Sequence, residues 1–180
     1  LVGSEMCIRY RVLALPTIVQ AALADPSADV EQVTLTEPSQ DWEIDVADLY
    51  CERDYESLAS IGWTCGDVSV QATLTEDAKD DATTLRRMVR ALAMAPLPAD
   101  APTFDGTNGA LLLADAPSST AALSLDGTGN DETKDWVVTV TGKGDQAQAT
   151  ASRIWHAFGQ EELPADAEAE FADFSGELMY

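Results

Sequence analysis

The feature that most constrains this chain is a pattern of apolar residues that occurs twice, 66 residues apart. Each copy begins with apolar residues at every second position, which is typical of a strand with one buried face. It continues with apolar residues three and four positions apart, which is typical of one face of an amphipathic helix. The strand positions are Val70, Ala72 and Leu74, then Trp136, Val138 and Val140; the helix positions are Leu85, Met88, Val89 and Leu92, then Ala151, Ile154, Trp155 and Phe158.

A shared pentapeptide follows each helix pattern at the same offset. Leu97–Ala101 and Leu163–Ala167 both read Leu-Pro-Ala-Asp-Ala, and proline is a residue that ends helices. Further strand patterns precede each copy, at 30–36 and 42–46 in the first and at 110–114 and 120–125 in the second. We therefore expect two β-β-β-α units, at 25–101 and 102–167, with helices at 79–95 and 145–158.

Neither unit alone can bury both the apolar face of its strands and the apolar face of its helix. Packed together, the two units predict an α+β fold of two layers, an antiparallel sheet with both helices on one face. The remaining residues, 168–180, form an acidic tail, either a short helix or the beginning of further sequence.

The first residues are expected to be foreign to the protein. Leu1–Arg9 resemble the translation of a transposase-type sequencing adapter; Tyr10 departs from that translation, and Arg11 fits it. We interpret residues 1–11 as adapter read-through that is not part of the native domain, and we expect these residues to make few contacts with it.

An apolar run occupies residues 12–24 and ends in Ala22-Leu23-Ala24. Small residues at positions −3 and −1 suit signal peptidase, and the run is too short to span a bilayer. It predicts a truncated signal peptide, with a clipped membrane anchor or an ordinary buried helix as alternatives. The expected location is therefore extracytoplasmic, secreted or membrane-anchored facing outward.

Two cysteines remain once Cys7 is assigned to the adapter. Cys51 and Cys65 have neither Cys-x-x-Cys redox spacing nor zinc-ligand spacing, and in an exported chain such a pair most simply forms one disulfide. Their Cα atoms are then expected to lie within about 7 Å of each other. A reduced pair is the alternative if the chain is not exported.

The charge of the chain excludes several classes of partner. Without Glu5, Arg9 and Arg11, 31 acidic and 8 basic residues remain, a formal net charge of −23. Such a field repels phosphate backbones and anionic lipids, so neither nucleic acid nor a membrane surface is expected as partner, except through an N-terminal anchor. A solvated acidic surface, as in salt-adapted proteins, is the simplest explanation.

The residue types needed for most enzymatic sites are scarce. His156 is the only histidine and is expected to face solvent, and no Gly-x-Ser-x-Gly elbow occurs. The loop from Asp126 to Glu132 has oxygen ligands but lacks the glycine and glutamate positions of an EF-hand. We predict no catalytic residues, metal or cofactor, and a single candidate binding residue, Trp63, in a glycine-bracketed loop next to Cys65.

Composition and predicted architecture resemble, in a general way, small envelope-associated α+β domains of high-GC bacteria. This resemblance implies no site residues, since a fold does not determine a function. The leading hypothesis is a non-enzymatic secreted or cell-envelope domain that binds a protein or an envelope component. The alternatives are an enzyme whose site consists of carboxylates and a calcium-dependent structural module. A shallow exposed apolar patch would favour binding, and a pocket with convergent carboxylates would favour an enzyme.

Overall fold

One antiparallel sheet of eight strands organises the residues that the structure describes. The structure is a computed structural model, and it describes residues 30–37, 41–92 and 97–175. The strands are β1 (Val30–Leu35), β2 (Ile44–Arg53), β3 (Ile61–Cys65), β4 (Val68–Glu76), β5 (Thr103–Asp105), β6 (Leu111–Asp115), β7 (Thr120–Asp126) and β8 (Lys134–Thr141). The helices are α1 (Asp81–Leu92), α2 (Gly144–Gly159) and α3 (Ala165–Ala172). The predicted α+β class is confirmed.

The strand order is β1-β2-β3-β4-β8-β7-β6-β5, so each half of the chain forms its own run of adjacent strands. The two runs meet where β4 pairs with β8 along its length, from Ser69 opposite Thr141 to Glu76 opposite Lys134. In this register Ala72 lies opposite Val138. These are equivalent positions of the two sequence copies, because they are 66 residues apart.

Both predicted helices form, at 81–92 and 144–159. In α1 the buried side chains are Leu85, Val89 and Leu92, and Met88 is partly buried; in α2 they include Ala151, Ile154, Trp155 and Phe158. His156 is exposed, as the helical spacing predicts.

The prediction that both helices lie on one face of the sheet was wrong. Leu85 and Val89 of α1 pack in a cluster with Leu111, Leu113, Ala122 and Val137. The buried residues of α2 pack instead with Leu112 and Val138, which point to the other face because side chains alternate along a strand. The reason is that the strands of the second half are apolar on both faces and need cover on each side.

The predicted number of strands was also wrong, because each half contributes four strands rather than three. The additional strands are β3 and β5. The sequence predicts a loop at 61–66, bracketed by Gly62 and Gly66, but residues 61–65 form β3. Gly66, with φ of +64°, instead forms the short turn of a hairpin in which Cys65 lies opposite Val68.

The acidic tail is partly structural. Residues 165–172 form α3, and Phe171 and Phe174 are buried in the same core cluster as α2. The predicted adapter segment at 1–11 and the apolar run at 12–24 lie outside the described residues. Among the described helices, none is long and apolar enough to cross a membrane.

The disulfide between Cys51 and Cys65 is confirmed. It joins neighbouring strands β2 and β3, with a Cα–Cα distance of 4.6 Å, inside the predicted limit. The bridge is buried in the core beside α2, whose Gln146 donates a hydrogen bond from Nε2 to the carbonyl oxygen of Cys65 at 2.6 Å. The bridge therefore holds β2 to β3, and the Gln146 hydrogen bond ties β3 to the helix that covers both strands.

Replacing both Cys51 and Cys65 by alanine should lower the free energy of unfolding by about 3 kcal/mol, because the unfolded chain regains the entropy of a short closed loop. Urea denaturation of the variant and of the wild-type protein measures this difference. Reduced wild-type protein should unfold at the same urea concentration as the variant. Equal stability of all three forms would contradict a closed bridge in the folded protein.

Candidate functional site

The helices that the structure describes leave one half of one sheet face uncovered. On the side where α1 packs, α1 covers β6, β7 and β8, while β1 to β4 carry side chains that reach solvent. We call this surface the open face. It consists of Val30, Gln32, Tyr50, Glu52, Thr64, Ser69, Gln71 and Thr73, together with the loop 54–60 that joins β2 to β3.

The exposed large hydrophobic residues among those described all belong to the open face. They are Val30, Tyr50, Tyr55 and Leu58, and the tyrosines are 60% and 90% exposed. Val30 lies opposite Glu52, and Gln32 lies opposite Tyr50, which makes Val30 and Tyr50 diagonal neighbours on one side of the sheet. Large apolar side chains left in water at neighbouring positions are typical of a binding surface.

The loop 54–60 is held against the sheet by hydrogen bonds from its serines. Ser57 Oγ bonds to Gln71 Oε1 at 3.4 Å, and Ser60 Oγ lies 3.2 Å from Thr73 Oγ1. Gly62 makes this docking possible, because a Cβ atom there would lie 2.3 Å from the Cβ of Ser57. The loop therefore has a fixed base on the open face, and Tyr55 and Leu58 are its exposed large hydrophobic residues.

Polar groups surround the exposed rings. Thr64, Ser69, Gln71 and Thr73 place hydroxyl and amide groups along β3 and β4 on the open face. Such side chains both donate and accept hydrogen bonds. The surface can thus bind a partner by apolar contact at the tyrosines and by hydrogen bonding beside them.

Trp63, the residue predicted to bind a ligand from an exposed loop, is not exposed. It lies in β3 with no solvent-accessible surface, on the covered side of the sheet with the disulfide. Its Nε1 donates to Glu31 Oε1 at 3.3 Å, and the Arg53 guanidinium lies 4.9 Å from its ring centroid. Arg53 also pairs with Glu31 at 3.4 Å, so the indole ring is a structural residue beneath this ion pair.

The second half of the sheet brings two carboxylates together. Asp126 on β7 lies opposite Asp135 on β8, and Asp135 is only 8% exposed. Burial, then the neighbouring charges of Asp126 and Asp81, raises the pKa of Asp135 to about 6. Burial and then Asp81 also raise the pKa of Asp126, whose buried Oδ1 has no hydrogen-bond partner among the described residues.

The loop considered for calcium contains a short 3₁₀ turn at Gly129–Asp131. Asp131 Oδ1 is 2.6 Å from Lys134 Nζ, so a cation of the chain itself already engages this carboxylate. Within the described ranges, no group of three or more histidine, cysteine or acidic side chains is arranged to hold a metal ion.

Sequence reasoning did not single out Tyr50, Tyr55 or Leu58. The alternation of Tyr50 with the buried residues Leu49 and Cys51 indicates a strand with one exposed side, whereas Tyr55 and Leu58 lie in a loop. It does not indicate which part of the sheet a helix leaves uncovered. That depends on the placement of α1, which the sequence pattern assigned to the wrong face.

Comparison with known proteins assigns the chain to no family, since no family model matches it and no curated protein or solved structure is significantly similar.

Replacing Asp135 by asparagine should raise the free energy of unfolding by more at pH 7.5 than at pH 5. The folded state holds the Asp135 proton more tightly than the unfolded chain, where aspartate has a pKa of about 3.9. The contribution of this group to stability is therefore greatest at low pH and falls as the pH rises through about 6. Urea denaturation of both proteins at the two pH values measures the effect.

The other acidic residues are present in both proteins, so their effect cancels in the stability difference between variant and wild type at each pH. A constant stability difference between pH 5 and pH 7.5 would show that Asp135 does not titrate in this range.

Proposed function

We propose that this chain is a non-enzymatic extracytoplasmic domain, secreted or associated with the cell envelope, that binds a partner protein through the open face. The observation that carries the proposal is the exposure of Tyr50 on a sheet face that no described helix covers, together with the exposure of Tyr55 on the adjoining loop. Tyrosine is enriched in protein interfaces, where its ring is buried and its hydroxyl group keeps a polar contact.

The charges around the tyrosines favour a basic partner. Glu52, Asp54 and Glu56 lie on the open face or its loop, within a chain of net charge −22. A partner surface with lysine or arginine residues would be attracted to this side, and salt would slow the association. The apolar contact of the rings would remain at high salt, since screening acts on charges and leaves apolar burial intact.

The disulfide supports an extracytoplasmic location. Bridges such as Cys51–Cys65 form and persist in oxidising compartments and are rare in reducing ones. The bond also removes both thiols from chemistry, which leaves no cysteine nucleophile among the described residues.

A second candidate function is a carboxylate-based enzyme, and the Asp126–Asp135 pair is its one supporting observation. Two neighbouring carboxyl groups with raised pKa values can hold and release a proton near neutral pH. Much of the surroundings of Asp135 is the apolar face beneath α1, including Val137 two residues along the strand. The burial of Asp135 and its repulsion by Asp126 and Asp81 are sufficient to raise its pKa without any catalytic role.

We further propose that the two halves of the chain are copies of one four-stranded unit followed by a helix. The mirrored strand order and the pairing of Ala72 with Val138 support this origin. The position of α1 on the opposite face from α2 is then a departure of the first copy, which leaves its side of the sheet open.

Photo-crosslinking tests the proposed binding surface. A benzoylphenylalanine placed at position 50 or 55 should capture the same protein from an extract of the organism that makes this chain. The matched control is position 168, an exposed glutamate on α3 on the covered side of the sheet, which should capture nothing in common with them. The captured protein, once purified, should bind Tyr50→Ala about tenfold more weakly than the wild type.

The Tyr50→Ala variant should keep the thermal midpoint of the wild type, because Tyr50 is largely outside the core. Equal capture at position 168, or unchanged affinity of Tyr50→Ala, would contradict the open face as the binding surface. An adduct with a polysaccharide or lipid instead of a protein would assign the surface to an envelope component.

A further inference from the structure

A second surface lies on the other side of the sheet, between β2 and the C-terminal half of α2. It is a cleft of about 440 Å³ formed by segments far apart in sequence. Its lining residues are Asp45, Ala47 and Asp48 from β2, and Arg153, His156, Ala157 and Gln160 from α2 and its C-terminal cap. The volume lies in the range of about 300–1,000 Å³ that is usual for small-molecule sites.

A bulge in β2 creates the anionic wall of the cleft. Along β1, Gln32 and Thr34 lie opposite Tyr50 and Asp45, so β2 uses several extra residues over the same length. Asp48 lies in this excess segment with φ of +57°, a left-handed conformation that non-glycine residues seldom adopt. Its side chain is exposed toward α2 rather than paired within the sheet.

The helix provides the opposite wall, which carries nitrogen donors. Arg153 and His156 are both exposed and stand one turn apart on the same side of α2. The helix ends at Gly159, and the capping residue Gln160 has φ of +56° and donates its backbone N–H to the carbonyl oxygen of His156 at 2.7 Å. Glycine is the usual residue in this left-handed position, and glutamine there adds an amide group to the cleft.

The charged groups of the cleft do not neutralise one another. Across the described ranges, the side chains of Arg153, His156 and Asp48 form no salt bridge or hydrogen bond. The Asp45 carboxylate accepts a hydrogen bond from Thr34 Oγ1 on β1 at 2.8 Å, so Asp48 is the carboxylate of the cleft without a partner. A ligand in the cleft thus meets a carboxylate on one wall and nitrogen donors on the other.

We propose that this cleft binds a small zwitterion of the α-amino-acid class. The ligand's ammonium group pairs with Asp48, and its carboxylate pairs with Arg153 and accepts a hydrogen bond from His156. An anion without the ammonium group would meet the Asp48 carboxylate, and a cation without the carboxylate would meet the Arg153 guanidinium. Only a ligand that carries both charges complements both walls, because a ligand with a single charge is repelled by one of them.

The single histidine allows a direct test in solution, because its ring protons give one isolated set of proton NMR signals. L-alanine and L-glutamine, as a small and a larger probe, are titrated into the full chain at constant ionic strength. We expect a saturable shift of the His156 signals with at least one of them, in the millimolar range. N-acetyl-L-alanine lacks the ammonium group and L-alaninamide lacks the carboxylate; each should bind about tenfold more weakly or not at all.

Variants assign the binding to the cleft. Arg153→Gln and Asp48→Asn should each weaken binding of the zwitterion by about tenfold, and asparagine tolerates the left-handed conformation of residue 48. Arg87→Gln, an exposed arginine on α1 on the opposite side of the sheet, is the matched control and should bind as the wild type does. Circular dichroism confirms that each variant is folded.

Three results would overturn the proposal. They are the absence of a saturable shift with either amino acid, equal affinity for the probes with a single charge, and unchanged binding by Arg153→Gln and Asp48→Asn. None of them bears on the open face, so this proposal and the proposed protein-binding function can fail independently.

Discussion

The pairing of β4 with β8 is the interaction on which the rest of the structure depends. Each half of the chain forms a run of strands that would end in an exposed edge, and an isolated edge is prone to pair with other chains. The continuous ladder from Ser69–Thr141 to Glu76–Lys134 joins these runs into one sheet. It also places Val70, Ala72, Val138 and Val140 on one apolar surface, which α2 covers.

The two halves of this sheet differ in what each face needs. In the second half, runs such as Leu111–Ala114 put apolar side chains on both faces, so α1 covers one face and α2 with α3 cover the other. In the first half the strands alternate, and the side that α1 does not reach carries polar groups and tyrosines. The open face is therefore a consequence of how apolar residues are distributed between the two halves.

Local periodicity in the sequence predicted α1, α2 and most strands, because these elements depend on residues close together in the chain. The disulfide was predicted from the one remaining pair of cysteines. The face occupied by α1 could have been inferred from the three consecutive leucines at 111–113, which indicate a strand buried on both sides. The position of Trp63 was predicted wrongly because Gly62 and Gly66 were taken to indicate a loop. Gly62 instead allows the loop 54–60 to dock on the sheet, and Gly66 forms a hairpin turn. The tyrosine surface and the β2–α2 cleft depend on packing between distant segments, which a periodic pattern does not encode.

Native-state hydrogen exchange tests the central role of the β4–β8 ladder most directly. The backbone amides at the middle of β4 and β8, at Val70, Ala72, Val138 and Val140, should be among the slowest in the protein. They should exchange with one common free energy, equal to that of global unfolding, because neither strand can separate without dividing the core. If β4 exchanged through a local opening while β8 stayed protected, the first half would be a separately unfolding unit, and the ladder would not be what holds the sheet together.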